Sequence, residues 1–136
     1  MSRLLATLVL LACASPGPVQ QTVAGLDSLT RFWNPTERQP TTMHLYLYRQ
    51  MEECVGFTGQ PFESIRWISA DFILDGHQRL GGLWISGERM IVLANQRWGD
   101  PVVVSEELLH SLLGGGDADH ADPRFIKCVI RPLVEP

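Results

Sequence analysis

The sequence predicts one α+β domain, and three observations carry that expectation. Two segments, near 42–55 and 101–113, repeat apolar residues at helical spacing and carry capping residues at their ends. Short β-rich runs punctuated by glycine lie between them, the order helix, strands, helix and then an irregular tail. The 136 residues leave no room for two hydrophobic cores.

The first residues predict an export signal. Met1-Ser2-Arg3 carries one positive charge, and Leu4 to Ala12 follows as an apolar run broken only by Thr7, too short to span a bilayer. Leu10-Leu11-Ala12-Cys13 matches a bacterial lipobox, with residues 1–12 as the signal and Cys13 as a lipidated mature N-terminus. Ala12-Cys13-Ala14 also satisfies the small-x-small rule for simple secretion, with cleavage before Ser15. The expected address is the bacterial cell envelope, anchored by lipid alone, with a secreted or periplasmic protein as the alternative. Residues 13–40 are rich in Pro, Gly, Gln, Ser and Thr without a sustained period, and predict a tether on which Phe32-Trp33 could dock against the domain. The domain proper is expected over 41–136.

Its elements follow in order. Thr41-Thr42 supplies an N-cap, and Met43, Leu47, Met51 and Cys54 recur at helical spacing up to Gly56. Ser64 to Phe72 is β-rich with partial alternation and predicts a strand. Asp75-Gly76 and Gly81-Gly82 bound a turn or loop, and Leu83-Trp84-Ile85 predicts a short strand after it. Met90 to Ala94 is the best strand in the chain. Asp100-Pro101 then opens a second helix, with Asp as N-cap and Pro at its first position, and Gly114-Gly115-Gly116 stops it after Leu113. The strands predict a small mixed or antiparallel sheet.

Composition narrows the function. Net charge −4 with no basic stripe excludes a nucleic-acid partner. If Cys13 carries the lipid, Cys54 and Cys128 remain as an even pair in an oxidising compartment and predict a disulfide. Trp67, Trp84 and Trp98 predict core packing. His44, on the first helix, and His77, in a turn, read as surface residues. Asp117, Asp119 and Asp122 lack the spacing of a calcium loop and read as solvated acids capping a Gly-rich turn.

The second helix carries the chemistry. Leu108, Leu109, Leu112, Leu113 and Val104 occupy one half of its circumference, and Glu106, Glu107, His110 and Ser111 fall together on the other. Glu106 and His110 stand at i and i+4, so their side chains project side by side. Ligand-type residues at i and i+4 with a carboxylate at i+1 form the arrangement of zinc hydrolases, in which two side chains grip the metal and the carboxylate handles a proton. The alternative is an amphipathic helix with a solvated polar face.

The run from Val103 to His120 resembles the active-site helix of zincin metallopeptidases. It is similar above all to small exported bacterial zincin-like proteins that read His-Glu-x-Leu-His, a Gly-Asp-x-His stretch, then Pro-x-Phe and a late Cys, supplied here by Pro123, Phe125 and Cys128. The resemblance spans about residues 43–128 and is specific only over 103–128. It implies a zincin-like fold with an irregular, disulfide-tethered tail, Cys54 paired with Cys128, and Met90–Ala94 as the edge strand that holds substrate backbone. It implies one zinc ion as cofactor, His110 and His120 as ligands, Glu107 as general base, and a peptide or protein as substrate. Glu106 stands where the family has its first histidine. Glu106, His110 and His120 then make a His₂Glu set, an accepted catalytic zinc composition, with Asp117 and Asp119 in reserve as third ligand. The function implied is an exported zinc-dependent metallohydrolase with an altered metal motif; the alternative is an inactive zincin-scaffold envelope lipoprotein serving as a binding or structural module.

Overall fold

The structure, a computed structural model, describes residues 20–21, 30–114 and 120–130. In chain order the elements are β1 (Gln20–Gln21), β2 (Thr30–Trp33), β3 (Thr36–Glu37), α1 (Thr42–Val55), β4 (Arg66–Ala70), β5 (Phe72–Asp75), β6 (Gln78–Leu80), β7 (Gly82–Ile85), β8 (Met90–Ala94) and α2 (Pro101–Leu113), followed by a π-helical segment, Phe125–Ile130. The architecture is α+β, as expected. The segment 1–12 expected as an export signal, Cys13, Asp117 and Asp119 lie outside the described residues.

Both helices begin and end on their capping residues. Asp100 accepts hydrogen bonds from the Val102 and Val103 amides, Pro101 takes the first helical position, and Gly114 adopts φ +71°. At α1, Thr41 is the N-cap, and Gly56 at φ +80° donates its amide to the Glu52 carbonyl.

The strands depart from the expected single sheet. They form two four-stranded sheets, ordered β1-β2-β5-β6 and β3-β4-β8-β7. The first is antiparallel throughout; in the second, β4 and β8 run parallel and the other pairs antiparallel. The run 64–72, expected as one strand, breaks at Asp71, where the chain leaves the second sheet for the first. Residues 30–37 make the same crossing beside it in one unbroken antiparallel register, with Thr30 opposite Asp75, Trp33 opposite Phe72, Thr36 opposite Ser69 and Glu37 opposite Ile68. A single two-stranded ribbon thus bends sharply and serves both sheets. Asn34 supplies the bend with φ +49°, and the Asp71 carboxylate accepts from the side-chain amides of Asn34 (2.6 Å) and Asn95 (2.9 Å). The segment 30–37, expected within a tether, is therefore part of the fold, and Phe32 is buried in it. Its composition misled because each strand is too short to show a period.

The two sheets pack on one another over Phe32, Ile68, Ile73, Ile85, Met90 and Val92. The helices and the π-helical segment cover the opposite face of the second sheet, over Tyr48, Met51, Trp67, Ile91, Leu93, Leu108 and Phe125. β8 is buried at all five positions because both its faces are covered. It lies between β4 and β7 and so is not an edge strand, contrary to the expectation; β3 and β7 are the edges of that sheet. Trp67, Trp84 and Trp98 are core residues, as expected.

His77 is exposed in its turn, but His44 is not a surface residue: it is 0% exposed, set edge-on against Trp67 at 4.8 Å and 5.0 Å from Trp98. Its Nδ1 accepts the Thr41 amide at 3.1 Å, closing the first turn of α1. Burial pushes its pKa down, opposed by a hydrogen bond with the Trp98 backbone and helped to a smaller degree by the charge of Arg38.

Cys54, one residue before the end of α1, is bonded to Cys128 in the π-helical segment. The bridge closes a loop of roughly 75 residues, worth about 4 kcal/mol through the restricted unfolded chain. The Cys54→Ala/Cys128→Ala protein should therefore lose about 4 kcal/mol, measured as a lower midpoint in urea unfolding without a fall in slope.

Candidate metal centre

Helix α2 packs its leucine face against β8 and carries Glu106, Glu107 and His110 on the side that meets β7. His120, beyond α2 in the chain, stands at the same place. Nε2 of His120 stands 2.8 Å from Oε1 of Glu106 and 3.2 Å from Nε2 of His110. One donor atom from each of Glu106, His110 and His120 falls within 4.8 Å of the others. Two ligands bonded to zinc at 2.0–2.1 Å in tetrahedral geometry stand about 3.3 Å apart, so the spacing suits one small cation. The donors, two imidazoles and a carboxylate, also suit it chemically.

The aromatic ring of Phe125 backs both histidines, its centroid 4.6 Å from His110 and 5.1 Å from His120. Phe125 is buried and lies three residues before the disulfide-bonded Cys128. The bridge to α1 therefore fixes the segment against which the histidines rest. Asp122 starts that segment: its carboxylate accepts from the Arg124 amide at 2.9 Å and pairs with the Arg124 guanidinium. This pairing holds the Asp122 pKa down at about 2.

Glu107 is only 6% exposed, wedged between α2 and β7. Burial first, and then the charge of Glu106, push its pKa up to about 8, against an opposing hydrogen bond with the Trp84 backbone. The carboxyl lies so near the β7 backbone that only glycine fits opposite it. A Cβ at Gly82 would stand 2.7 Å from both Cγ and Oε1 of Glu107. Ser111, expected on the same polar face, is also buried and donates to the Leu108 carbonyl at 2.7 Å. The polar face of α2 is thus a wall facing a cleft of about 580 Å³.

The remaining wall comes from β6 and β7, the edge strands of the two sheets, joined through Gly81. Glu106, Glu107 and His110 line this cleft together with His120, and Ser111 does not. Gly82, and Phe125 as a ring support, escaped the reading of the chain. The Gly81-Gly82 pair was the available signal, since a glycine within a strand marks close backbone approach. Comparison with protein-family models, curated proteins and solved structures finds no match to this chain.

Two measurements check the Glu107 environment in metal-free protein. A carboxyl raised from 4.5 to about 8 gives stability that is full below pH 4.5 and is lost as pH rises through 8, because only the unfolded chain ionises in that window. Glu107→Gln should flatten that decline in urea unfolding at pH 5 and pH 8. Gly82→Ala should displace the Glu107 side chain and cost about 1–3 kcal/mol, read from the same unfolding curves.

Proposed function

We propose that this protein is an exported zinc-dependent metallohydrolase of zincin type, acting on peptide bonds. The observation that carries the reading is the convergence of Glu106, His110 and His120 beside Glu107 on the wall of one cleft. A helix carrying two ligands and a carboxylate, a third ligand from the following turn, and an edge strand along the cleft agree with that reading. The Cys54–Cys128 disulfide supports export, since such bonds persist in oxidising compartments.

Glu106, His110 and His120 would hold the ion, and the motif helix would present them from one rigid element. Zinc bound there supplies Lewis acidity, which acidifies water and polarises a carbonyl. Glu107 takes up a proton on its carboxylate and returns it to the leaving amine. Its bond with the Trp84 backbone orients the carboxyl, and the packing of Gly82 limits its rotamers. Repulsion from Glu106 is one of two causes of its raised pKa, so positive charge on the three ligands favours the ionised form that a base requires. Glu106 brings a negative charge to the centre where an imidazole would bring none. The working pH should therefore lie higher than for an all-histidine site.

Metal analysis of the purified protein, stripped with chelator and reloaded, should give one zinc per chain. His110→Ala and His120→Ala should each weaken binding more than roughly 100-fold. Glu107→Gln should retain zinc while peptide hydrolysis falls about 10²–10⁴-fold. A protein that takes up no zinc, and whose Glu107→Gln variant matches the wild type, is instead a non-catalytic binding module of the envelope.

A further inference from the structure

The outer face of the first sheet carries chemistry that the cleft does not use. Side chains alternate along each strand, and directly opposite residues of an antiparallel pair point to the same side of the sheet. Phe32, Ile73 and Leu80 point inward to the second sheet. Arg31 and Trp33 on β2, Phe72 and Leu74 on β5, and Arg79 on β6 therefore share the opposite face. They form two rows across the strands, Arg31, Leu74 and Arg79 in one, Trp33 and Phe72 in the next. Trp33 stacks on Phe72 with centroids 4.4 Å apart, and the Arg79 guanidinium lies over the Phe72 ring at 4.9 Å. Trp33, Phe72 and Leu74 are part-exposed and belong to neither layer of the core; both arginines are exposed. Neither arginine forms an ion pair among the described residues. The described strand positions on this face include no carboxylate, since Asp75 falls on the inward register, where its Oδ1 accepts the Thr30 hydroxyl at 3.2 Å.

A sheet face that sets a stacked aromatic pair and a leucine beside two uncompensated guanidinium groups matches the chemistry of a bilayer boundary. Tryptophan settles at headgroup depth, and arginine takes phosphate oxygens with its planar fork. We propose that the outer face of the first sheet docks on a bilayer surface bearing anionic phospholipid headgroups. The chain's own length favours this occupant. Cys13, the residue that the lipobox marks for a lipid, stands seven residues before Gln20, where β1 opens the same sheet. No path of seven residues exceeds about 25 Å, so a lipid on Cys13 would hold this sheet at the membrane. The helices cover the far face of the second sheet, so a molecule docked in this way turns α1 and α2 away from the lipid. The surface goes beyond the hydrolase reading and does not depend on it.

The test is binding of the purified full chain to vesicles, with chelator present so that no metal takes part. One set is phosphatidylcholine alone and the other carries about 30% phosphatidylglycerol, each with and without bromine on the acyl chains. Bromine quenches tryptophan only where the ring meets the bilayer. Trp67, Trp84 and Trp98 are buried, so quenching reports Trp33 however the N-terminus is held. Sedimentation should show tighter binding to the anionic vesicles, and quenching should appear on them. An arginine near an anionic surface contributes about fivefold, so Arg31→Gln/Arg79→Gln should lose about 25-fold of that preference, and the quenching with it. Trp33→Phe keeps a stacked ring and should remove the quenching while the preference remains. Both arginines are exposed, so circular dichroism and Tm of their variants should match the wild type. Equal binding to the two vesicles, absence of quenching, or a preference that survives Arg31→Gln/Arg79→Gln overturns the proposal. So does a chain that ignores both vesicles and binds a soluble acidic polysaccharide such as alginate, which makes the face a glycan site.

Discussion

Everything in this fold is referred to β8. Met90 to Ala94 is the strand on which both layers of the hydrophobic core close, with Ile91 and Leu93 turned to the helices and Met90 and Val92 turned to the other sheet. Its parallel partner β4 and antiparallel partner β7 take their places from it. α2 packs on it through Leu108 and Leu109, so the position of the helix relative to the free edge of β7 follows from how β8 is buried. A strand covered on both faces has no freedom to tilt or slip without exposing apolar surface. That rigidity is what lets side chains from a helix, a turn and two edge strands share one cleft.

The candidate metal centre is built at the margin of that rigid body. Glu106 and His110 inherit the precision of α2, whereas His120 comes from a turn. Two constraints compensate for the difference. The Phe125 ring backs both imidazoles, and the Cys54–Cys128 bridge ties the segment bearing that ring to the end of α1. Glu107 is held by another route, pressed against the β7 backbone where Gly82 permits the approach. Its raised pKa is a consequence of this placement: a carboxyl close enough to an edge strand to meet its backbone is also removed from water. The same burial that orients Glu107 makes it a reluctant anion, and positive charge on the neighbouring ligands is the natural counterweight.

Elements with local signals were legible in the chain. Asp100, Pro101 and Gly114 mark α2 to the residue, because capping depends on backbone groups within one turn of the cap. β8 declared itself as a continuous apolar run. Glu106 and His110 were legible as a pair from their spacing, and His120 as their partner from the glycine-rich turn beside it. What failed depended on distant partners. The bend at Asp71 needs Asn34 and Asn95 to satisfy its carboxylate, and neither is near it in sequence. His44 looked like a surface polar residue, although it shares a helical stripe with Leu47, Tyr48 and Met51; Trp67 and Trp98 enclose it from elsewhere in the chain.

The sequence by itself determined where the helices start and stop, which strand is most apolar, and which residue types stand ready on α2. These follow from torsional preference, capping and periodicity, all short-range. Only the tertiary structure decided that 30–37 pairs with 68–75 to split one apparent strand between two sheets, and that β7, not β8, is the edge beside the site. It alone decided that Glu107 is buried, because the residue that permits its approach, Gly82, lies on another element. It also brought Glu106, Glu107, His110 and His120 to one cleft, since their shared space exists only once two sheet edges and a helix are packed together.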